Sequence, residues 1–243
     1  MDRFTASSYG DGFADVYDEW YADVTDVQAT VRCVAKLAPQ GRVLELGAGT
    51  GRIALELAAK HQVACVDSSQ AMLNRLSQKP GAEKVTVLCA DMAEQIPEGP
   101  FDLALATYNT FFSLACESAQ LQCLRLVHEQ LIPGGLLVLE NFVPASGAES
   151  EPARVSPRSV TADEVILSVT QPGQEPQQLE GQFIQISEKG IRLRPWSIRF
   201  LRPDQLDDLC ARSGFSLVHR WSDWHGRPMT EESAQQIAVY GRV

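Results

Sequence analysis

The sequence predicts an α/β protein: a doubly wound, mostly parallel seven-stranded sheet with an antiparallel β insertion after its fifth strand. Three observations carry that expectation. Short apolar runs alternate with helical patterns from residue 41 to about 142, the rhythm of βαβ units. A glycine-rich turn joins the first run to the first of those helical patterns. From residue 164 to 201 the runs alternate apolar with polar and are separated by turn residues alone, which suits a meander.

Taken in order, Phe13, Val16, Tyr17, Trp20, Tyr21 and Val24 fall at helical spacing, with Asp15, Asp18, Glu19 and Asp23 on the other side. One amphipathic helix is expected there. Strands are expected at Arg42–Leu46, Val63–Asp67, Val85–Ala90, Phe101–Thr107 and Leu136–Phe142, and helices at Ile53–Lys60, Gln70–Gln78 and Glu117–Leu131. Pro133-Gly134-Gly135 stops the last of these helices. From Pro144 to about Pro157 the composition shifts to Pro, Ser, Glu, Gly and Ala, which reads as a surface linker. Glu164–Thr170, Gln182–Ser187 and Ile191–Leu201 then form the meander. A helix over Pro203–Ser213 has Pro at its first turn and Gly214 at its end. Phe215–Trp221 and Ile237–Val243 supply the last two strands.

A chain of 243 residues can bury one sizeable core plus an embellishment. Its 44% hydrophobic and 21% charged residues are globular proportions. Lys and Arg total 21 against 31 Asp and Glu, a net charge of −10 that repels phosphate backbones and anionic lipid. Nucleic acid and membrane are therefore not the expected partners. Cys33, Cys65, Cys89, Cys116, Cys123 and Cys210 are scattered, without the spacing of a zinc site, so no metal is expected and the thiols should be reduced. The opening MDRFTASSYGDGF lacks the basic start and apolar run of a signal peptide, and a soluble cytoplasmic protein is expected.

The chemistry begins at Val43-Leu44-Glu45-Leu46-Gly47-Ala48-Gly49-Thr50-Gly51, where an apolar strand runs into three alternate glycines. Such a loop lets a ligand approach the backbone. A dinucleotide loop wants a small residue where this chain has Arg52, so a nicotinamide-dependent oxidoreductase fits poorly. Asp67 ends the second strand, placed to accept both hydroxyls of a ribose, and Asp91-Met92 follows the third, where a carboxylate can accept from an adenine amine. The implied ligand is an adenosine without a pyrophosphate.

Five motifs in order resemble the class I S-adenosylmethionine-dependent methyltransferases: E-L-G-A-G-T-G (Glu45 to Gly51), V-D-S-S-Q-A-M-L (Val66 to Leu73), A-D-M (Ala90 to Met92), T-Y-N-T (Thr107 to Thr110) and L-I-P-G-G-L-L-V-L-E (Leu131 to Glu140). The resemblance covers about residues 9 to 142 and the closing strands. It implies S-adenosyl-L-methionine as cofactor, with Gly47, Ala48, Gly49 and Gly51 passing its methionyl part and Asp67 and Ser68 at the ribose. Asp91 with Met92 would face the adenine and Met72 would pack on it, Thr107 is a further cofactor-binding candidate, and Glu45 would orient the loop or the cofactor's amine. The layout also looks like the small natural-product and deoxysugar methyltransferases, whose N-terminal helix caps the cofactor, which implicates Tyr17, Trp20 and Tyr21. On that resemblance residues 1–143 are cap helix and cofactor-binding core, 144–200 an inserted meander serving as substrate lid or dimer surface, and 201–243 the closing elements.

Amino-methylating DNA enzymes place N/D-P-P-Y/F after the fourth strand and cytosine C5 enzymes a Pro-Cys there; this chain has Thr107-Tyr108-Asn109-Thr110. A small-molecule acceptor, methylated at nitrogen or oxygen by a monomer or homodimer, is the expectation. An amine acceptor needs no strong base, whereas a hydroxyl would profit from one. Candidate catalytic residues are Tyr17, Asn109 and His225; candidate substrate contacts are Tyr108, Asn109, Phe112, Trp196, Arg199 and His225. His61, His128 and His219 read as structural, His61 as a solvated helix end. The competing reading from another class is a cofactor-binding protein without catalysis, using the insertion as a partner surface.

Overall fold

The computed structural model describes residues 4–22, 24–145, 147–148 and 152–243. Asp23 and parts of the expected 144–157 linker (146 and 149–151) lie outside them. The central sheet is built from β1 (Arg42–Leu46), β2 (Gln62–Asp67), β3 (Val85–Cys89), β4 (Phe101–Ala106), β5 (Leu131–Phe142), β10 (Phe215–Trp221) and β11 (Gln235–Arg242). Their order is β10-β11-β5-β4-β1-β2-β3, and β11 alone runs against its neighbours. The chain lays strands outward from β1 to β3, then returns to the other side of β1 with β4. That reversal opens a crevice at the carboxyl ends of β1 and β4, where such sheets bind ligands.

Parallel strands covered on both faces need aliphatic residues on both. Leu44, Leu46 and Val66 pack toward α6 (Glu117–Gln130) and α7 (Pro203–Arg212). Val43, Cys65, Leu103 and Leu105 pack toward α3 (Val27–Leu37), α4 (Ala54–Leu57) and α5 (Gln70–Ser77). Helix α3 was not anticipated. Its signal is Asp26, whose Oδ1 accepts from the Ala29 N–H at 2.8 Å as an N-cap ahead of a helical apolar stripe.

The insertion is a separate four-stranded antiparallel sheet, β6 (Arg154–Val160), β7 (Glu164–Pro172), β8 (Gln178–Ser187) and β9 (Gly190–Arg199), in sequence order. Three strands were expected. The fourth, β6, takes residues 154–157 from the expected linker and contains Pro157, which an edge strand tolerates because its N–H side need not pair.

The expected single cap helix is instead two short ones, α1 (Ser8–Phe13) and α2 (Tyr17–Trp20). A continuous helix would bond the Val16 N–H to the Gly12 carbonyl. That carbonyl accepts from Arg194 Nη1 of β9, and Val16 donates to Phe13 O at 3.0 Å instead. Arg194 also pairs with both oxygens of Asp15, at 2.6 and 3.0 Å. On its other side α1 sits against α5, where a Cβ on Gly10 would come within 2.3 Å of Ser69 Cβ. The N-terminal segment thus bridges the core and the inserted sheet across the crevice. No helix among the described residues is long and apolar enough to cross a membrane.

Candidate active site

A cavity of about 410 Å³ lies at the carboxyl edge of the central sheet, roofed by the N-terminal segment and the inserted sheet. Its floor is made by the residues that follow the strands: Gly47 and Gly49 after β1, Asp67 and Ser68 at the end of β2, Ala90 to Met92 after β3, and Tyr108 and Asn109 after β4. Met72 of α5 and Phe142 of β5 flank that floor, and Tyr9, Tyr17, Tyr21, Arg158, Phe183 and Trp196 complete the enclosure.

Gly47 has φ +67°, and a Cβ there would lie 2.3 Å from Thr110 Cγ2, so both conformation and space require glycine. Asp67 braces the loop: its Oδ2 accepts from the Gly49 N–H and its Oδ1 from the Ser69 N–H, each at 2.8 Å. A carboxylate has about four acceptor positions, so each oxygen keeps one for a ligand hydroxyl. Burial raises the Asp67 pKa, against the lowering by those two backbone bonds.

Glu45 lies under the loop, 2% exposed, and its Oε2 has no partner. Burial pushes its pKa up to about 8, opposed chiefly by the Arg52 guanidinium. That open acceptor is itself buried, and Glu45 is not among the residues that line the cavity. Arg52 is itself committed, donating to the Tyr21 carbonyl at 2.5 Å and lying 5.9 Å from the ring centroids of Tyr17 and Tyr108.

The aromatic wall is continuous. Tyr17 and Tyr21 have ring centroids 4.9 Å apart, and Tyr21 meets Tyr108 edge-on at 5.7 Å. Burial raises the pKa of Tyr9, Tyr17 and Tyr108, so these phenols are neutral. Tyr108 and Asn109 adopt φ of +47° and +65°, a strained pair for residues with side chains. Glu140 of β5 holds that turn: its Oε2 accepts from the Tyr108 N–H at 2.7 Å, its backbone carbonyl accepts from the Asn109 N–H at 2.9 Å, and its Oε1 accepts from Trp224 Nε1 at 3.0 Å. Asn109 Oδ1 accepts from the Phe142 N–H at 2.6 Å.

Of the residues the sequence singled out, Tyr17, Tyr21, Gly47, Gly49, Asp67, Ser68, Met72, Asp91, Met92, Tyr108, Asn109 and Trp196 line this cavity. Glu45, Ala48, Gly51 and Thr107 are buried and do not line the cavity. Four further candidates are directed elsewhere. Trp20 faces Phe13 and Phe183 at 6.2 Å. Phe112 is fully buried in the core, because the turn after β4 directs it against Phe142 at 5.4 Å. Arg199 turns inward to Gln120 and Glu117, pinning the end of β9 to α6. His225 is exposed and its Nε2 lies 3.3 Å from Asp26, at the start of α3. His61, expected in solvent, is buried with Nε2 3.0 Å from the Ala38 carbonyl. Sequence reasoning missed Tyr9, Arg158, Phe183 and Glu140. Only Tyr9 carried a local signal, four residues before Phe13 on the same apolar stripe.

A family model described as a methyltransferase domain matches residues 43–135, from β1 into the start of β5. The solved structure of the CcbJ methyltransferase from Streptomyces caelestis is 32% identical over 99% of this chain and 100% of its own, with a TM-score of 0.90. The chain belongs to the S-adenosylmethionine-dependent methyltransferases. A candidate methyltransferase of Bacillus subtilis, YqeM, is 32% identical over 132 residues, a match that spans about half (53%) of that relative's length. An S-adenosylmethionine-dependent methyltransferase from Clostridium acetobutylicum, 14% identical, shares the fold over 96% of this chain and 98% of its own, with a TM-score of 0.81. The cofactor of this methyltransferase is S-adenosylmethionine. The open acceptor positions on Asp67 and the glycine cradle fit its hydroxyls and its close approach to the backbone.

Proposed function

We propose that this methyltransferase methylates a nitrogen atom of a small, natural-product-like metabolite. The observation that carries the choice of nitrogen is the chemistry of the wall around Tyr108. Among the described residues no histidine lines the cavity, and its two carboxylates, Asp67 and Asp91, stand at the ends of β2 and β3. A hydroxyl acceptor would need a base within about 3 Å, whereas a neutral amine brings its own lone pair.

When bound, S-adenosylmethionine would supply an electrophilic methyl: the amine lone pair forms the N–C bond as the C–S bond breaks, S-adenosylhomocysteine is the leaving group, and the product's proton passes to water. The chain's share is to bind, orient and exclude water. Asp67 would accept from the ribose hydroxyls, with Ser68 beside it, and Asp91 with Met92 and Met72 would enclose the adenine. Gly47, Ala48, Gly49 and Gly51 would let the methionyl part lie along the backbone, with Glu45 orienting the loop or the cofactor's ammonium. Tyr17 and Tyr21 would cover the sulfonium with electron-rich rings, Thr107 would support the turn, and Tyr108 with Asn109 would orient the acceptor.

The test is release of S-adenosylhomocysteine from paired amine and alcohol acceptors of one carbon skeleton. Turnover of amines alone, rising with pH as the amine deprotonates, is the expected result. Turnover confined to alcohols would overturn the assignment to nitrogen, and tight cofactor binding without turnover of any acceptor would favour the non-catalytic reading.

A further inference from the structure

Among the described residues, the roof of the cavity carries a cation with no paired carboxylate. Strand β6 shifts register between Pro157 and Ser159, which leaves Arg158 as the extra residue opposite β7. A bulge re-aims one side chain out of the alternating pattern, and here Arg158 joins the cavity wall. Its guanidinium lies 4.8 Å from the ring centroid of Phe183, 5.0 Å from Tyr21 and 5.5 Å from Trp20. Rings hold a guanidinium by its faces and leave its in-plane N–H groups free to donate.

Those donors are nearly all unused. Nη2 reaches the Trp20 carbonyl at 3.3 Å, and no carboxylate among the described residues pairs with Arg158. On β9 of the same sheet, by contrast, Arg192 and Arg194 pair with Asp15, and Arg199 with Glu117. Trp196 on the same wall has a buried indole N–H that donates to nothing. This side of the cavity therefore offers donors and, among the described residues, no carboxylate to take them.

We propose that Arg158 recognises an anionic oxygen group, a carboxylate or a phosphate, on the methyl acceptor. The proposal rests on the methyltransferase reading above. Arg158 is solvent-exposed at the cavity mouth, so its repulsion of a sulfonium is screened but not absent. An acceptor bearing a negative charge offsets that repulsion, and the planar N–H fork fixes its orientation.

The test uses the full chain loaded with S-adenosylhomocysteine and reads intrinsic tryptophan fluorescence, since Trp20 flanks the guanidinium and Trp196 lines the cavity. Benzoate and phenyl phosphate are the probes, with benzyl alcohol as the neutral control. Wild type should bind at least one of the anions about tenfold or more tightly than the alcohol, and the preferred anion separates carboxylate from phosphate. Arg158→Gln should abolish the preference and Arg158→Lys retain part of it, while both variants keep S-adenosylhomocysteine affinity within about twofold of wild type. Equal binding of anion and alcohol, no binding of either anion, or a preference that survives Arg158→Gln overturns the proposal. Failure of wild type to bind S-adenosylhomocysteine would instead bring down the methyltransferase reading, and this proposal with it.

Discussion

Glu45 is the one acid in a strand whose other buried residues are aliphatic, and burial raises its pKa to about 8. The unfolded carboxyl titrates near 4.3. Across the interval the native state holds a proton that the unfolded state has released, so Glu45 costs the ligand-free fold stability as pH rises from about 4.3 toward 8. A cofactor ammonium selects the ionised form. Affinity for S-adenosylhomocysteine, measured by calorimetry, should therefore rise between about pH 6 and 8, and Glu45→Gln should flatten that slope. A flat wild-type profile would remove Glu45 from the amine site. Asp67→Ala should weaken cofactor binding by about 1–3 kcal/mol, the scale of hydrogen bonds to a charged acceptor; an unchanged dissociation constant would refute the ribose assignment. Both acids were legible in the sequence because strand, glycine turn and helix are consecutive, so a local pattern fixes where they end up. Arg158 and Phe183 were not, because the inserted sheet folds back over the cavity and a bulge re-aims Arg158, and neither leaves a periodic trace.

Elements tell the same story at longer range. The strands of the central sheet were readable as apolar runs, but the N-terminal helix was expected to be continuous with its acids in solvent. Two of those acids are docking residues, as is Asp11 ahead of them: Asp15 pairs with Arg194 of β9, Asp18 accepts from Thr50 of the glycine loop at 2.5 Å and pairs with Lys79, and Asp11 accepts from Ser69 at 2.7 Å. Helical periodicity shows which face is apolar, not which acids meet a partner more than a hundred residues away. Arg194→Met should detach α1 and α2 from the inserted sheet, with faster amide exchange over residues 8–20. Its cost should be about 1–3 kcal/mol, below that of a fully buried pair because Asp15 is 36% exposed and regains water. Unchanged exchange there would show that the aromatic packing alone holds the segment. The Arg194 guanidinium keeps the Asp15 carboxyl below the ordinary range. The stability this supplies is complete above the unfolded pKa of about 3.9 and is lost as pH falls through the lower folded value.

Across the whole molecule the cavity is a joint product of three parts: the sheet edge, the N-terminal segment and the inserted sheet. A ligand that fills it contacts all three, so binding should stabilise them together rather than the central sheet alone. A ligand at about a hundred times its dissociation constant adds about 2.7 kcal/mol to a native state that alone binds it. For a chain of this length each kcal/mol moves the melting temperature by about 2–4 °C, so S-adenosylhomocysteine should raise it by about 5–11 °C in a single transition. NAD, whose pyrophosphate loop needs a small residue where Arg52 stands, should leave it unchanged. Differential scanning calorimetry with each ligand, paired with exchange on residues 8–20 and on β9, separates the outcomes. A shift without added protection in those segments would mean that the cofactor is held by the sheet edge alone and that the roof closes only on the acceptor. That result would make the roof, including Arg158, the part that answers to the second substrate.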